Sequence, residues 1–135
     1  MSDKFFLDSN ILVYSYSNTE IDKQLIARKL ISENNTYIST QVLQELCNLV
    51  TRKFKFDYIV AAALIEECSQ NNNLHINTEV TVIEACKIAD LYGFSFYDSL
   101  IITAALESGC SILYSEDLHD GQLIEGKLTV KNPFK

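Results

Sequence analysis

Residues 4–10 read KFFLDSN, a short apolar run that ends in an acid and two further polar side chains. A run of this length, bounded by turn-forming residues, is typical of a buried strand. The same arrangement returns at residues 111–117, which read SILYSED. We therefore predict two buried strands that each end in an acidic segment, with Asp8 in the first and Asp117 in the second.

The rest of the chain alternates between helical and strand patterns. Apolar residues recur at helical spacing in five segments, at about 20–33, 40–50, 58–69, 79–91 and 96–107. Short apolar runs at about 37–39, 75–77 and 128–130 indicate three more strands. This alternation predicts an α/β fold, with a central, mainly parallel sheet of about five short strands flanked by helices. In such a sheet, ligands bind at the carboxyl ends of the strands, where Asp8 and Asp117 are predicted to lie.

The composition is that of one globular domain. The chain has 135 residues, 47% of them hydrophobic, with four Gly and one Pro, so we expect a single domain over residues 1–135. No uncharged apolar stretch approaches the roughly 18 residues of a membrane helix, and the N-terminal run contains an acid, unlike an export signal. Four widely spaced cysteines without a CxxC pair indicate buried, reduced thiols. These features predict a cytoplasmic protein with no membrane segment.

Two acids fall on the apolar faces of predicted helices. Glu45 lies three residues after Val42 and four before Leu49. Asp98 lies three residues before Ile101 and four before Ile102, on the apolar face of the last helical segment, 96–107. A carboxylate that points inward needs a neutralising partner. Each of these two helices is therefore predicted to direct one acid towards such a partner.

A divalent ion with oxygen ligands would neutralise these acids. No Lys or Arg occurs from residue 88 to residue 126, so Asp98 has no basic neighbour in the sequence. Mg²⁺ or Mn²⁺ suits a site in which carboxylates predominate and no cluster of His and Cys is available. We predict that Asp8, Glu45, Asp98 and Asp117 converge on one or two such ions. Repulsion should strain the metal-free site, so that Asp98→Asn stabilises it.

Each of the four acids also has a purely structural interpretation. Asp98 completes the pattern Ser95-Phe96-Tyr97-Asp98, a capping box that serves only the first turn of a helix. Asp8 suits a turn, Glu45 suits the edge of a half-exposed helix face, and Asp117 suits a solvated loop. These interpretations stay open for each residue taken alone, whereas one shared site explains all four.

Further candidates surround the four acids. Asn10, Ser115 and Ser9 are placed to hydrogen-bond a ligating carboxylate or a metal-bound water. Asp120 is either a further acid near the ion or a solvated loop residue, and the same alternatives apply to His119. We assign three other side chains to the surface without a functional role: Tyr14, Tyr16 and His75.

The net charge of −7 argues against a nucleic-acid enzyme, because phosphate backbones are normally held by basic surfaces. Basic side chains nevertheless cluster locally. Arg52, Lys53 and Lys55 form the densest cluster and are the candidates for contact with RNA. A solvated helix end is the plainer interpretation of the same three residues.

The chain resembles the PIN-domain family over nearly its whole length, and in particular the VapC-like toxins. The family pattern is an opening strand-end Asp, a helical Glu, an Asp at a helix start and a final Ser/Thr-x-Asp loop. The matching segments are FFLDSNILVYSY (5–16), STQVLQELCNLV (39–50), GFSFYDSLIITAALESGC (93–110), ILYSEDLHDGQ (112–122) and VKNPF (130–134).

The resemblance implies a three-layer PIN-like fold and a metal-dependent ribonuclease. Carried over by position, it places Asp8, Glu45, Asp98 and Asp117 in the acidic site, with Ser115 beside them. It also implies in-line hydrolysis that leaves a 5′-phosphate and a 3′-hydroxyl, a homodimer, and the toxin role of a type II toxin–antitoxin pair with an antitoxin partner.

Two alternatives remain at this stage. A receiver-like phosphoacceptor domain has a similar length, an α/β sheet and bound Mg²⁺, but it requires adjacent acids after the first strand and a Lys after the fifth. Here two of the acids lie on helices, and Lys131 has no matching place. The other alternative is a catalytically inactive PIN-like module that only binds partners.

Overall fold

Strands and helices alternate along most of the chain in the computed structural model, which describes residues 3–135. The strands are β1 (Lys4–Leu7), β2 (Asn35–Ser39), β3 (Asn73–His75), β4 (Ile112–Tyr114), β5 (Leu123–Ile124) and β6 (Leu128–Lys131). The helices are α1 (Ser9–Ser15), α2 (Ile21–Glu33), α3 (Thr40–Lys53), α4 (Tyr58–Asn71), α5 (Glu79–Tyr92) and α6 (Phe96–Glu107). The predicted α/β class is confirmed.

The six strands form one sheet in the order β3-β2-β1-β4-β6-β5. All neighbouring strands are parallel except β5, which runs antiparallel to β6. The chain builds outward from β1 in one direction through β2 and β3, and then returns to β4 on the other side. The order therefore reverses between β1 and β4, and the carboxyl ends of these two strands form the edge where α/β sheets bind ligands.

Strand β1 is covered on both faces. Phe6 and Leu7 point to opposite sides of the sheet because strand side chains alternate, and both are fully buried. Leu113 on β4 and Ile38 on β2 are also fully buried. Helices therefore pack on both sides of the central strands, which explains why the apolar runs of β1 and β4 are continuous rather than alternating.

Helix α6 is buried along most of its length. Every residue from Ser99 to Ala105 is inaccessible or nearly so, and a helix that is apolar on all sides belongs in the interior of a fold. In its first turn, Phe96 and Tyr97 are exposed and Asp98 is half-buried. The burial of α6 thus fixes the helix firmly while its N-terminal end reaches a surface.

The sheet has six strands, where about five were predicted. The additional strand, β5, has two residues and joins β6 through a short turn, and a two-residue strand is too short to show a pattern of its own. Strand β3 starts at Asn73, two residues earlier than predicted. Beside the backbone pairing of β3 with β2, Asn73 Nδ2 donates a hydrogen bond to Asn35 Oδ1 (2.8 Å), which no apolar pattern signals.

The start of α2 has no cap of the usual kind. Its N-cap is Glu20, whose side chain makes no capping hydrogen bond. Ser17 Oγ instead accepts hydrogen bonds from the backbone N–H groups of Thr19 and Glu20 (3.3 and 3.1 Å). A serine two or three residues earlier therefore satisfies the turn that leads into the helix.

Two further predictions from composition can be compared with the structure. Among the described residues, no helix has both the length and the apolar character needed to cross a bilayer. All four cysteines are free; Cys68 and Cys110 are buried and Cys47 is partly buried, but Cys86 is exposed. The predicted burial is therefore wrong for Cys86, which lies on the outer face of α5.

Candidate active site

Asp8 lies at the carboxyl end of β1, where the strand passes into α1. Its backbone N–H donates to the carbonyl of Tyr114 (3.0 Å), which holds the ends of β1 and β4 together. Its Oδ1 accepts from the backbone N–H of Ser9 (2.7 Å), and its Oδ2 accepts from Ser115 Oγ (2.8 Å). Only 7% of Asp8 is exposed. The residue is thus both the N-cap of α1 and a buried carboxylate on the ligand-binding edge.

The surroundings of Asp8 disfavour its charge. Burial raises the pKa of Asp8 to about 6 from an ordinary value of 3.8, against the opposing effect of the hydrogen bonds from Ser115 and Ser9. The charges of Glu45 and Asp117 raise this pKa further. No positively charged side chain among the described residues lowers the pKa of Asp8. Glu45 and Asp117 therefore each lie close enough to Asp8 to repel its charge.

Asp117 lies in the loop after β4 and is exposed. Asn10 Nδ2 donates to its Oδ2 (3.1 Å), and its backbone N–H donates to Ser115 Oγ (3.2 Å). Ser115 therefore bonds to Asp8 through its hydroxyl hydrogen and to Asp117 through its hydroxyl oxygen. The structure brings together these two strand-end acids with Asn10 and Ser115.

Glu45 comes from α3, which follows β2 and is capped by Ser39. It is half-buried, and Gln41 one turn earlier donates from Nε2 to Glu45 Oε2 (3.2 Å). The same Nε2 donates to the backbone carbonyl of Tyr97 (3.0 Å). Gln41 thus joins Glu45 to the start of α6, and sequence analysis did not identify it because a glutamine near a helix start carries no distinctive pattern.

Asp98 lies in the first turn of α6 and is half-buried. Ser95 Oγ accepts from its backbone N–H (3.1 Å), which is one half of a capping box. The reciprocal bond from the Ser95 backbone to the Asp98 carboxylate is not formed, whereas Thr78 and Thr81 form both bonds at the start of α5. The Asp98 side chain is therefore not occupied by its own helix terminus.

A second cluster holds the loop that carries Ser115 and Asp117. Tyr14 O–H donates to Glu116 Oε1 (2.6 Å), and Lys23 Nζ lies 2.6 Å from Glu116 Oε2 and 3.1 Å from Tyr14 Oη. Partial burial raises the pKa of Glu116, but the bonds from Lys23 and Tyr14 and the nearby positive charges outweigh it and lower that pKa overall. The loop is thereby fastened to α1 and α2.

Three residues assigned to the surface without a role prove to have structural partners. Tyr14 binds Glu116 as described, Tyr16 O–H donates to Glu67 Oε1 (2.6 Å), and His75 Nε2 lies 3.0 Å from Glu107 Oε1. These partners lie far away in the sequence, so the pairings could not be read from local patterns.

The remaining candidates lie outside the acidic group. Asp120 Oδ1 accepts from the backbone N–H of Asn132 (2.8 Å), so this carboxylate holds the C-terminal segment. His119 is exposed. The three basic candidates are exposed and make no ion pair among the described residues: Arg52, Lys53 and Lys55. The charge of Lys53 nevertheless acts on Glu116, which places it near the loop after β4.

The donor atoms around Asp8 suit a hard divalent cation. They are carboxylate and amide oxygens, and Asn10 Oδ1 is buried without a hydrogen-bond partner among the described residues. Within residues 3–135, no three acidic, His or Cys side chains are gathered closely enough to enclose an ion. Mg²⁺ usually keeps several waters and takes only one or two carboxylates directly. The site therefore fits a partly hydrated ion rather than a closed cage.

Similarity to known proteins agrees with this arrangement. The PIN domain family model matches residues 5–119. The chain belongs to the PIN-domain family. Among curated proteins, none shows significant sequence similarity to this chain.

Several solved structures share the fold. One is the Mycobacterium tuberculosis toxin VapC20, described as cleaving the sarcin–ricin loop, with a TM-score of 0.70 and 17% identity over 84% of this chain and 89% of that one. DNA-bound VapBC from Salmonella typhimurium has a TM-score of 0.72 and 19% identity over 97% and 98%. A toxin–antitoxin complex from Klebsiella pneumoniae has a TM-score of 0.68 and 18% identity over 95% and 96%.

Proposed function

We propose that this protein is a divalent-metal-dependent endoribonuclease that hydrolyses RNA phosphodiester bonds. One observation carries the proposal: Asp8 is buried without a cationic partner among the described residues, in the field of Glu45 and Asp117. A fold keeps such a group at a cost unless a cation binds there. Membership of the PIN-domain family and likeness to a toxin described as cleaving the sarcin–ricin loop support RNA as the substrate.

The proposed ligands of Mg²⁺ or Mn²⁺ are Asp8, Glu45, Asp98 and Asp117. When bound, a divalent ion activates water and stabilises the oxygen that leaves phosphorus. The protein holds the carboxylates in position: Oδ1 of Asp8 accepts hydrogen bonds from Ser9, and Oδ2 accepts one from Ser115. In the same way, Asn10 orients the Asp117 carboxylate and Gln41 orients the Glu45 carboxylate, each through a hydrogen bond from its side-chain amide.

No histidine is needed as a general base in this proposal. His119 is exposed, and His75 is paired with Glu107 near the far edge of the sheet. The acids act as ionised ligands, so their placement rather than a tuned proton transfer sets the rate. The resemblance to the PIN-domain family implies that the 3′ oxygen is the leaving group, which leaves a 5′-phosphate and a 3′-hydroxyl.

Chelation provides the direct test of the proposed chemistry. Purified protein should cleave single-stranded RNA with Mg²⁺ or Mn²⁺ and stop when EDTA is added, because the carboxylates alone supply no nucleophile. Adding excess metal back should restore cleavage. Gel analysis of a labelled RNA measures both steps, and cleavage that persists after complete chelation would contradict the metal mechanism.

Of the two alternative functions, family membership argues against one, and the other requires an experiment. A receiver-like phosphoacceptor is set aside because the chain belongs to the PIN-domain family. Substitution of Asp98 distinguishes a nuclease from a PIN-like module that only binds partners, since only the nuclease loses hydrolysis.

We further propose that the protein is the toxin of a type II toxin–antitoxin pair. The support is the likeness to chains from toxin–antitoxin complexes, including VapBC. The net charge of −7 agrees with a partner that supplies basic surface. A small neighbouring reading frame that encodes a DNA-binding domain and a basic amphipathic tail, and whose product suppresses the nuclease, would support this role.

We also propose that two copies associate. Helix α5 exposes large apolar side chains, including Val80 (60% exposed), Ile83 (49%) and Leu91 (68%), and burying them between two copies would be favourable. Sedimentation should therefore give a mass near twice 15.3 kDa. A monomer that persists at high micromolar concentration would refute the dimer.

A further inference from the structure

An open cavity of about 300 Å³ lies directly beside Glu45. Gln41, Gln44, Glu45 and Asn48 of α3 line one side, and Tyr97 at the start of α6 lines the other. Its volume is at the lower end of the range for small-molecule pockets. Because Glu45 belongs to the proposed metal site, whatever occupies this cavity lies next to the reacting phosphate.

The α3 side of the cavity is built of amides. Gln41, Gln44 and Asn48 stand three and four residues apart, so they share one face of the helix. An amide presents donors and an acceptor side by side, as the edge of a nucleobase does. Gln41 is only 4% exposed, and its Oε1 has no hydrogen-bond partner among the described residues.

The α6 side of the cavity presents an uncovered aromatic ring. Tyr97 is 66% exposed, and Phe96 packs against it edge-on with ring centroids 5.4 Å apart. Gln41 fixes the Tyr97 backbone through the hydrogen bond to its carbonyl (3.0 Å). An exposed, supported aromatic ring beside amides is the combination that proteins use to stack and read an unpaired base.

We propose that this cavity holds one unpaired nucleobase of the RNA, stacked on Tyr97 and hydrogen-bonded by the amides of Gln44 and Asn48. This inference rests on the proposed function, because it takes RNA as the ligand of the neighbouring acids. The next turn of α3 carries Arg52, four residues beyond Asn48 and exposed, where it meets the phosphate backbone of the same strand. Duplex RNA cannot place a base here without unpairing it, so the site selects single-stranded segments.

Binding of short single strands tests the subsite without requiring hydrolysis. The probes are four fluorescein-labelled hexaribonucleotides of A, C, G and U, together with a fully abasic hexamer, with Ca²⁺ replacing Mg²⁺. Tyr97→Ala should weaken the tightest base-containing probe on the order of tenfold, because one stacked base is lost. Tyr97→Phe should retain that affinity, and so should Tyr58→Ala, which removes another exposed tyrosine (75%) from α4. The abasic hexamer should bind wild type and Tyr97→Ala alike.

The outcomes separate this subsite from the nuclease proposal. Equal binding of base-containing probes by wild type and Tyr97→Ala, an equal loss on the abasic probe, or no preference of wild type for bases over the abasic probe would overturn the subsite. Hydrolysis with Mn²⁺ is measured separately on a longer single strand. Base-dependent binding without any hydrolysis refutes the nuclease and leaves the subsite standing, whereas hydrolysis without base-dependent binding refutes the subsite alone.

Discussion

Asp98→Asn is expected to lower the metal-dependent hydrolysis of RNA by at least about 10²-fold. The variant keeps the shape of the side chain and removes only its charge. Loss of a group that merely orients a ligand typically reduces metal affinity or activity by about 10- to 100-fold, so loss of a ligand should do more. Because Ser95 caps α6 through the Asp98 backbone, the helix start should survive the substitution. Initial rates over a series of Mn²⁺ concentrations measure the effect.

Asp90→Asn provides a matched control for the same change of charge. Asp90 is an exposed aspartate on α5, the helix that packs against α6, and its variant should hydrolyse RNA at the wild-type rate. Higher Mn²⁺ should partly restore the Asp98 variant if its defect lies in metal binding. Wild-type hydrolysis by Asp98→Asn would show that Asp98 is a helix-start residue without a part in the chemistry.

The strand-end features of the site could be predicted because they follow from local patterns. An apolar run that stops at an acid identifies both a buried strand and the residue at its carboxyl end. The parallel pairing of β1 and β4 then brings Asp8 and Ser115 to 2.8 Å, although they lie 107 residues apart. The alternating pattern predicts the parallel sheet and its shared carboxyl edge, whereas the strand order that places β4 beside β1 is seen only in the structure.

Other features depend on tertiary packing and could not be predicted. Gln41 joins two helices through one amide nitrogen, and Lys23 reaches Glu116 across 93 residues. Polar side chains pair according to where the backbone places them, and the apolar periodicity that identifies elements carries no information about such pairs. The antiparallel strand β5 was missed because a turn and two residues suffice to form it.

The structure changes which acid is expected to destabilise the metal-free site most. From the sequence we predicted that this acid is Asp98, since it has no basic neighbour along the chain. In the structure the acid most strongly disfavoured as an ion is Asp8, because it is 7% exposed and its pKa is raised by burial to about 6. Asp98 is half-buried and reaches solvent. The larger effect on stability is therefore expected at Asp8.

The pH dependence follows from the direction of this shift. Asp8 has a pKa of about 6 in the folded protein and an ordinary value of 3.8 when unfolded, so the folded state binds its proton more tightly. Above pH 6 the charged form destabilises the metal-free fold, by about 2 to 3 kcal/mol at neutral pH. As the pH falls through 6 towards 4, Asp8 takes up a proton in the folded state and this destabilisation is relieved.

Asp8→Asn should therefore stabilise the metal-free protein at neutral pH. The variant removes the buried charge but weakens the hydrogen bonds from Ser9 and Ser115, which offsets about 1 kcal/mol. A net gain of about 1 to 2 kcal/mol should raise the melting temperature in EDTA at pH 7.5 by a few degrees. Asp90→Asn, which removes an exposed charge, should leave it nearly unchanged.

The higher melting temperature of Asp8→Asn should be lost under two conditions, because it arises from the charge of the Asp8 carboxylate. At pH 5 the wild-type residue is largely protonated in the folded state, so wild type and variant should melt at similar temperatures in EDTA. At pH 7.5 with saturating Mn²⁺, the ionised wild-type carboxylate binds a cation that the amide binds poorly. The difference in melting temperature between variant and wild type should therefore shrink or change sign.

A variant that is less stable than wild type in EDTA at pH 7.5 would mean that the two hydrogen bonds outweigh the buried charge. A constant advantage at both pH values would instead locate the gain in packing, because only the titration of Asp8 makes it depend on protons.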